Sequence, residues 1–195
     1  MAGRELEKQI DKALADFERW LGRQPGWKHG NLRARSGRTV SSRGPAVLSQ
    51  ADCALQFARF LNKHGVAWKD IHVQVSPSQW LVEKSVAGNS PRKIDLAIVD
   101  RDRLAKRRAP LRRHKSEEFL FDAVFEFTLV GNTRKRPPKA AIERSAKRVR
   151  RYLDDLWSRR GYVVVVEEAS WSGIARRQAR RRTQHPLLSA HYAAF

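Results

Sequence analysis

A single cysteine, Cys53, stands in 195 residues, which excludes an internal disulfide and a cysteine-based zinc cluster. Cys53 falls inside a helical apolar pattern, so it reads as a small core residue rather than a nucleophile. Acids are scarce: 20 Asp and Glu face 40 Lys and Arg, a formal net charge of +20. A chain so one-sided repels itself unless it meets a polyanion, and nucleic acid, DNA first, is the partner this balance implies. An anionic lipid surface is the competing partner, but no apolar run is long enough to span a bilayer and no lipid-anchoring motif accompanies the charge, so no membrane is expected. The opening residues Met1 to Lys8 lack the apolar centre of a secretory signal, which makes the cytoplasm, or wherever DNA lies, the expected location. A glycine-rich phosphate loop and an internal repeat are also missing.

With 41% of its residues hydrophobic, the chain can fill one core, and its length suits one domain with additions. Leu6, Ile10, Ala13, Leu14, Phe17 and Leu21 recur at helical steps while Glu5, Glu7, Lys8, Asp11, Lys12 and Asp16 fall elsewhere, which predicts an amphipathic helix from Arg4 to Leu21. Gly22 stops it, and Pro25 and Gly26 prevent a restart. Residues 23–43 then hold six Lys or Arg, three Gly and no acid. This is a basic arm in which Arg33, Arg35 and Arg38 are candidate phosphate contacts and Trp27 a candidate stacking group. Ser49 and Asp52 have capping-box spacing ahead of a helix that runs to about Lys63, with Leu55, Ala58 and Leu61 as its buried stripe and Gly65 as its stop. Trp68 to Val75 alternates apolar and polar residues, as a strand with one buried face does.

Between Arg101 and Lys115, eight Lys or Arg stand against one acid. A protruding basic loop or short helix is expected there, its Arg107, Arg108, Arg112 and Arg113 meeting phosphates. A long helix begins at Pro138 or Lys139; Ile142, Ala146, Val149, Leu153 and Leu156 form its apolar stripe, and Ser145, Arg148 and Tyr152 flank one edge. Gly161 is read as its end. Tyr162 to Val166 is a continuous apolar run of the kind found in central, often parallel, strands. The tail from Trp171 to Phe195, with five Arg and no acid, is expected to be a basic terminal helix or a disordered arm. Together these elements predict an α/β layer, a mixed sheet flanked by helices. The division is an N-terminal helix and basic arm over 1–47, an α/β core over 48–168 and a basic C-terminal tail over 169–195.

Two of the strands carry acids where a buried strand normally has none. In the run from Arg92 to Val99, Asp95 shares a face with Lys93 and Ala97; in the run from Phe119 to Val130, Glu126 shares one with Thr128. Burying a lone carboxylate is costly, so each acid calls for a basic partner, a hydrogen-bond network or a cation. If the strands are neighbours, the acids converge. With a backbone carbonyl and waters they then make an oxygen-lined site suited to Mg2+ or Mn2+, able to activate a water and neutralise charge on a scissile phosphate. The simpler reading is that each acid merely meets Arg or Lys at a strand end.

The order of elements from about Leu48 to Glu168 is helix with an acid, strand, Asp strand, Glu-x-x strand, basic helix and valine-rich strand. This order resembles the PD-(D/E)xK nuclease family, and the resemblance rests on Asp95 within Lys93–Val99 and Glu126 within Val124–Leu129. It implies an α/β, restriction-endonuclease-like mixed central sheet flanked by helices, with basic N-terminal and C-terminal extensions. It also implies a metal-dependent DNA endonuclease hydrolysing phosphodiester bonds. Asp95, Glu126 and the backbone carbonyl of Phe127 would be the Mg2+ or Mn2+ ligands, with Asp52 or Gln56 where many members carry an acid. The departure is Thr128, which stands where the family has lysine. Lys93, Lys139 and Lys147, in that order, are the candidates to replace its charge, and Arg148 and Tyr152 are placed to touch the site or the nucleic acid. Thr128 also suits a catalytically inactive member that serves as a DNA-binding or complex-forming module. A homodimer or larger complex is compatible with either reading, and an RNA-binding protein of a different fold is the third alternative.

Overall fold

The structure, a computed structural model, describes residues 2–23, 49–75, 93–99, 121–130, 138–154, 158–167 and 188–194. Helix α1 spans Ala2–Gly22 and α2 spans Gln50–Lys63, followed by a short 3-10 turn, Trp68–Asp70. Strands β1 (Ile71–Val75), β2 (Ile94–Val99) and β3 (Phe121–Val130) precede helix α3 (Pro138–Asp154), which leads to β4 (Gly161–Glu167) and β5 (Leu188–Ala194). The five strands form one sheet in sequence order. β1 to β3 are antiparallel neighbours, whereas β3–β4 and β4–β5 are parallel. The switch falls where α3 intervenes, because a parallel return needs a crossover longer than a hairpin turn.

Each sheet face has its own cover. Leu96, Ile98, Phe125, Phe127, Tyr162, Val164 and Val166 join Ile10, Ala13, Leu14, Phe17 and Leu21 of α1 and Cys53, Phe57, Ala58 and Leu61 of α2 in one apolar core. Aromatic rings tie the layers: Phe17 meets Phe57 at 5.6 Å and Phe127 at 6.1 Å, and Phe125 stacks on Tyr162 at 4.7 Å. The alternate residues of β2, β3 and β4, Asp95 and Glu126 among them, point the other way. There α3 lies against β3 and β4, with Ile142, Ala146, Val149 and Leu153 buried.

Several expectations change. The N-terminal helix is part of the core, not an extension from it, because its apolar stripe is buried on α2 and the sheet. The tail supplies a fifth strand where a helix or disordered arm was expected: Leu188–Ala194 pair with the outer edge of β4 and satisfy backbone groups it would otherwise expose. The buried stripe of α2 includes Cys53, Ala54 and Phe57, while Leu55 is exposed; the helix turns its wider face, centred on Phe57, to the sheet. Trp68 is half exposed in the 3-10 turn instead of opening β1, since Asp70 N–H bonds back to the Ala67 carbonyl before the chain extends. Gly161 is the first residue of β4 and not a helix stop. Leu156, the arm at 24–48 and the basic run at 101–115 lie outside the described residues.

Ser49 caps α2 as its spacing with Asp52 predicts, its hydroxyl accepting from Asp52 N–H. That hydroxyl also donates to the Asp52 carboxylate at 2.9 Å. Gly65, with φ +99°, makes the turn after the helix. Between the first two helices, Asp16 of α1 accepts from Lys63 at 2.8 Å, lies 2.9 Å from the His64 ring and is paired with Arg19. The hydrogen bonds from Lys63 and His64 hold its carboxyl down at about 2.

Candidate active site

The β2–β3 ladder pairs Leu96 with Phe125 and Ala97 with Val124, so Asp95 and Glu126 occupy the next step of the same register and project to the same face. Asp95 is nearly buried and Glu126 fully so. Oδ2 of Asp95 accepts from the backbone N–H of Phe127 at 2.8 Å, and Oδ1 accepts from the Gln74 amide at 3.3 Å. Desolvation nevertheless raises the Asp95 pKa, with those two hydrogen bonds and the nearby Arg148 pulling the other way.

Helix α3 roofs the acids. Arg148 Nη2 lies 2.7 Å from Glu126 Oε2 and donates to Ser145 Oγ at 3.2 Å. Thr128 Oγ1 donates to the same Ser145 oxygen at 2.8 Å. Tyr152, one turn beyond Arg148, is buried at 3% exposure. Desolvation pushes its hydroxyl up to about 12, and the negative charges of Glu126 and Asp95 add to the rise. Both acids thus lie within electrostatic range of Arg148 or Tyr152, on one side of one sheet.

The other predicted site residues are placed differently. Asp52 is engaged with Ser49 at the start of α2. The α2 side chain that reaches the sheet here is Gln50, whose Nε2 donates to the Phe127 carbonyl at 2.6 Å. Gln56 accepts from Arg59 on the helix surface. Lys93 is exposed one residue before β2, and Lys147 is exposed on α3. Nothing is described of the Lys139 side chain, and Arg33, Arg35, Arg38, Arg107, Arg108, Arg112 and Arg113 all lie outside the described residues. Burial removes Tyr152 from the nucleic-acid contacts expected of it, since a covered ring has no face for a base, and Arg148 is committed to Glu126. Gln50 and Gln74 were not foreseen: a neutral amide in a helix's first turn or in a polar strand position carries no signal of its own. Cys53 is fully buried; burial raises its thiol, and Asp52 and Asp95 push the same way, which suits an inert core residue.

No protein-family model, curated protein or solved structure matches the chain.

Chemically, the face offers hard oxygen donors from Asp95 and Glu126, the Phe127 carbonyl beside them and one guanidinium. Among the described residues no group of three or more His, Cys, Asp or Glu is gathered to hold a metal ion. Mg2+ characteristically takes one or two carboxylates and keeps several waters, so the pair fits it in donor type. The Phe127 carbonyl has a second lone pair beyond the one that Gln50 uses. The Arg148–Glu126 contact must loosen for Glu126 to turn toward a cation.

Proposed function

We propose that the chain is a Mg2+- or Mn2+-dependent DNA endonuclease of the PD-(D/E)xK type, with a restriction-endonuclease-like fold and arginine in place of the usual lysine. The observation that carries this reading is the adjacent placement of Asp95 and Glu126 on one sheet face beneath a basic helix. Two carboxylates concentrated in a nearly dry site weaken the fold, and a cation-binding role accounts for their presence. A bound Mg2+ supplies charge neutralisation and an acidified water. Asp95 and Glu126 would hold it, and Arg148, freed from Glu126 as that carboxylate turns to the cation, would meet the developing phosphate charge that Thr128 is unable to meet. The net charge of +20 favours a polyanionic substrate and a location in the cytoplasm where DNA lies.

The second reading, a non-catalytic DNA-binding or complex-forming module, has observations of its own: the Glu126–Arg148 pair at 2.7 Å and the Gln50–Phe127 bond at 2.6 Å engage Glu126 and the Phe127 carbonyl, both expected as ligands, within the protein itself. Plasmid nicking in Mn2+ separates the two. The nuclease reading expects nicking by the wild type, its loss in Asp95→Asn and Glu126→Gln, and its retention in Lys93→Ala. Intact plasmid with the wild type in both Mg2+ and Mn2+, together with retained DNA binding, assigns the module.

A further inference from the structure

The β1–β2 ladder pairs Ile71 with Ile98, His72 with Ala97, Val73 with Leu96 and Val75 with Ile94, and it omits Gln74, the position opposite Asp95. Gln74 has φ +57°, and it is the one non-glycine residue with positive φ among the described residues. That left-handed region is strained for a side chain with Cβ, and the residues that tolerate it best are Gly, Asn and Asp. Gln74 is none of these. Strained backbone persists where the surroundings over-determine it, and such positions cluster at functional sites.

Here the strain sits beside Asp95. The Gln74 amide donates to Oδ1 at 3.3 Å while the Phe127 N–H, from the strand on the other side, holds Oδ2 at 2.8 Å. The carboxylate is therefore gripped by one donor from each neighbouring strand, which sets its plane. The Gln74 amide is neutral, so it orients the Asp95 carboxylate without forming an ion pair with it, whereas Arg148 pairs with Glu126 as a cation. Outer partners of this kind fix the direction of a ligand carboxylate. We infer that Gln74 is a positioning residue for Asp95, held in a left-handed conformation so that its amide aims the carboxylate at the cation. The inference rests on the metal site proposed above.

The test is Mn2+ binding by the full chain, followed by electron paramagnetic resonance, with thermal melting of the metal-free protein alongside. Gln74→Gly and Gln74→Asn both suit the left-handed backbone, and neither brings an amide as far as Gln74 does. Each is expected to melt at or above the wild-type temperature while its Mn2+ affinity falls by about tenfold or more. A glutamine with a merely structural role would leave Mn2+ affinity unchanged. Wild-type affinity in both variants overturns the role of Gln74 and leaves the metal site standing. Mn2+ binding by the wild type no tighter than by Asp95→Asn overturns the metal site and this inference with it.

Discussion

Glu126 is the least expected side chain in the molecule, a carboxylate at 0% exposure in the middle of a strand whose neighbours Phe125 and Phe127 are also fully buried. It is tolerable because Arg148, itself 26% exposed, reaches it from α3. Removing one member of a buried pair costs far more than the pair contributes, because the other charge stays behind in a poor solvent. Arg148→Met is therefore expected to lower unfolding free energy by about 3 kcal/mol, read from the urea midpoint at constant slope. The double variant Glu126→Gln with Arg148→Met should recover most of that loss, since neither charge remains; an additive loss would show that the pair is not coupled. Asp95 titrates in the opposite sense to an ordinary paired acid. Its raised folded pKa means the ionised form opposes folding, so Asp95→Asn is expected to raise the melting temperature of the metal-free protein near neutral pH, whereas a lowered one would show that the carboxylate stabilises the fold. That each acid has a definite strand face was legible from the sequence through period-two alternation; that the two faces coincide depended on β2 and β3 being neighbours in this register. Their amide partners were not legible, because Gln50 lies 77 residues from Phe127 and Gln74 lies 21 from Asp95, separations that no local pattern spans.

At the scale of elements, two junctions carry consequences. Where α3 crosses the start of β4, a Cβ on Gly161 would sit 2.1 Å from Val149 Cγ1 and 3.3 Å from Leu153 Cδ1. Glycine stands there because the Val149 and Leu153 side chains of the helix fill the space that a side chain on the strand would need. Gly161→Ala is expected to cost about 1–3 kcal/mol by overpacking, and Val149→Ala in the same chain should relieve part of it; equal stability of Gly161→Ala and wild type in denaturant would show that the helix moves freely. Where α1 meets α2, Asp16 ties Lys63, His64 and Arg19 together. Its folded pKa, about 2, lies below the ordinary 3.8. The contribution is therefore present in full above the ordinary value and is lost as pH falls through the folded one. Asp16→Asn should cost about 1 kcal/mol near neutral pH, a modest figure because Lys63 and Arg19 are well exposed and screened. The gap between variant and wild type should close as the solution is acidified toward pH 2; a gap independent of pH would mean that the ion pairs contribute nothing. The amphipathic pattern of α1 was legible, but the docking of its Asp16 on the end of α2 was not, since that depends on where a distant helix stops.

For the whole molecule, charge and sheet edge govern behaviour. A chain with net charge +20 should bind DNA with an affinity that falls by on the order of a thousandfold between about 50 and 200 mM salt, through release of condensed counterions. Binding unchanged over that range, measured by fluorescence anisotropy, would remove the polyanion argument. The valine-rich β4 is covered on its outer edge by β5, and deleting residues 188–195 would bare that edge. An uncovered apolar strand is a template for another chain, so the truncated protein should self-associate in size-exclusion chromatography and light scattering. A monodisperse truncation product would show that β5 is dispensable.

Residue order alone determined the periodic parts of this protein: the amphipathic helices, the Ser49 cap, the two acidic strands and the valine-rich strand all follow from spacing and side-chain type, which act within a few residues. The same local rules left the final seven-residue strand, Leu188–Ala194, unreadable, because its alternation is weak and its place depends on a partner strand rather than on itself. Tertiary structure decided which acids share a face, which cation meets Glu126, which strand covers β4 and why Gln74 takes a left-handed backbone. Each of these depends on groups distant in sequence meeting across a sheet or between layers, where burial makes a single charge or hydrogen bond decisive.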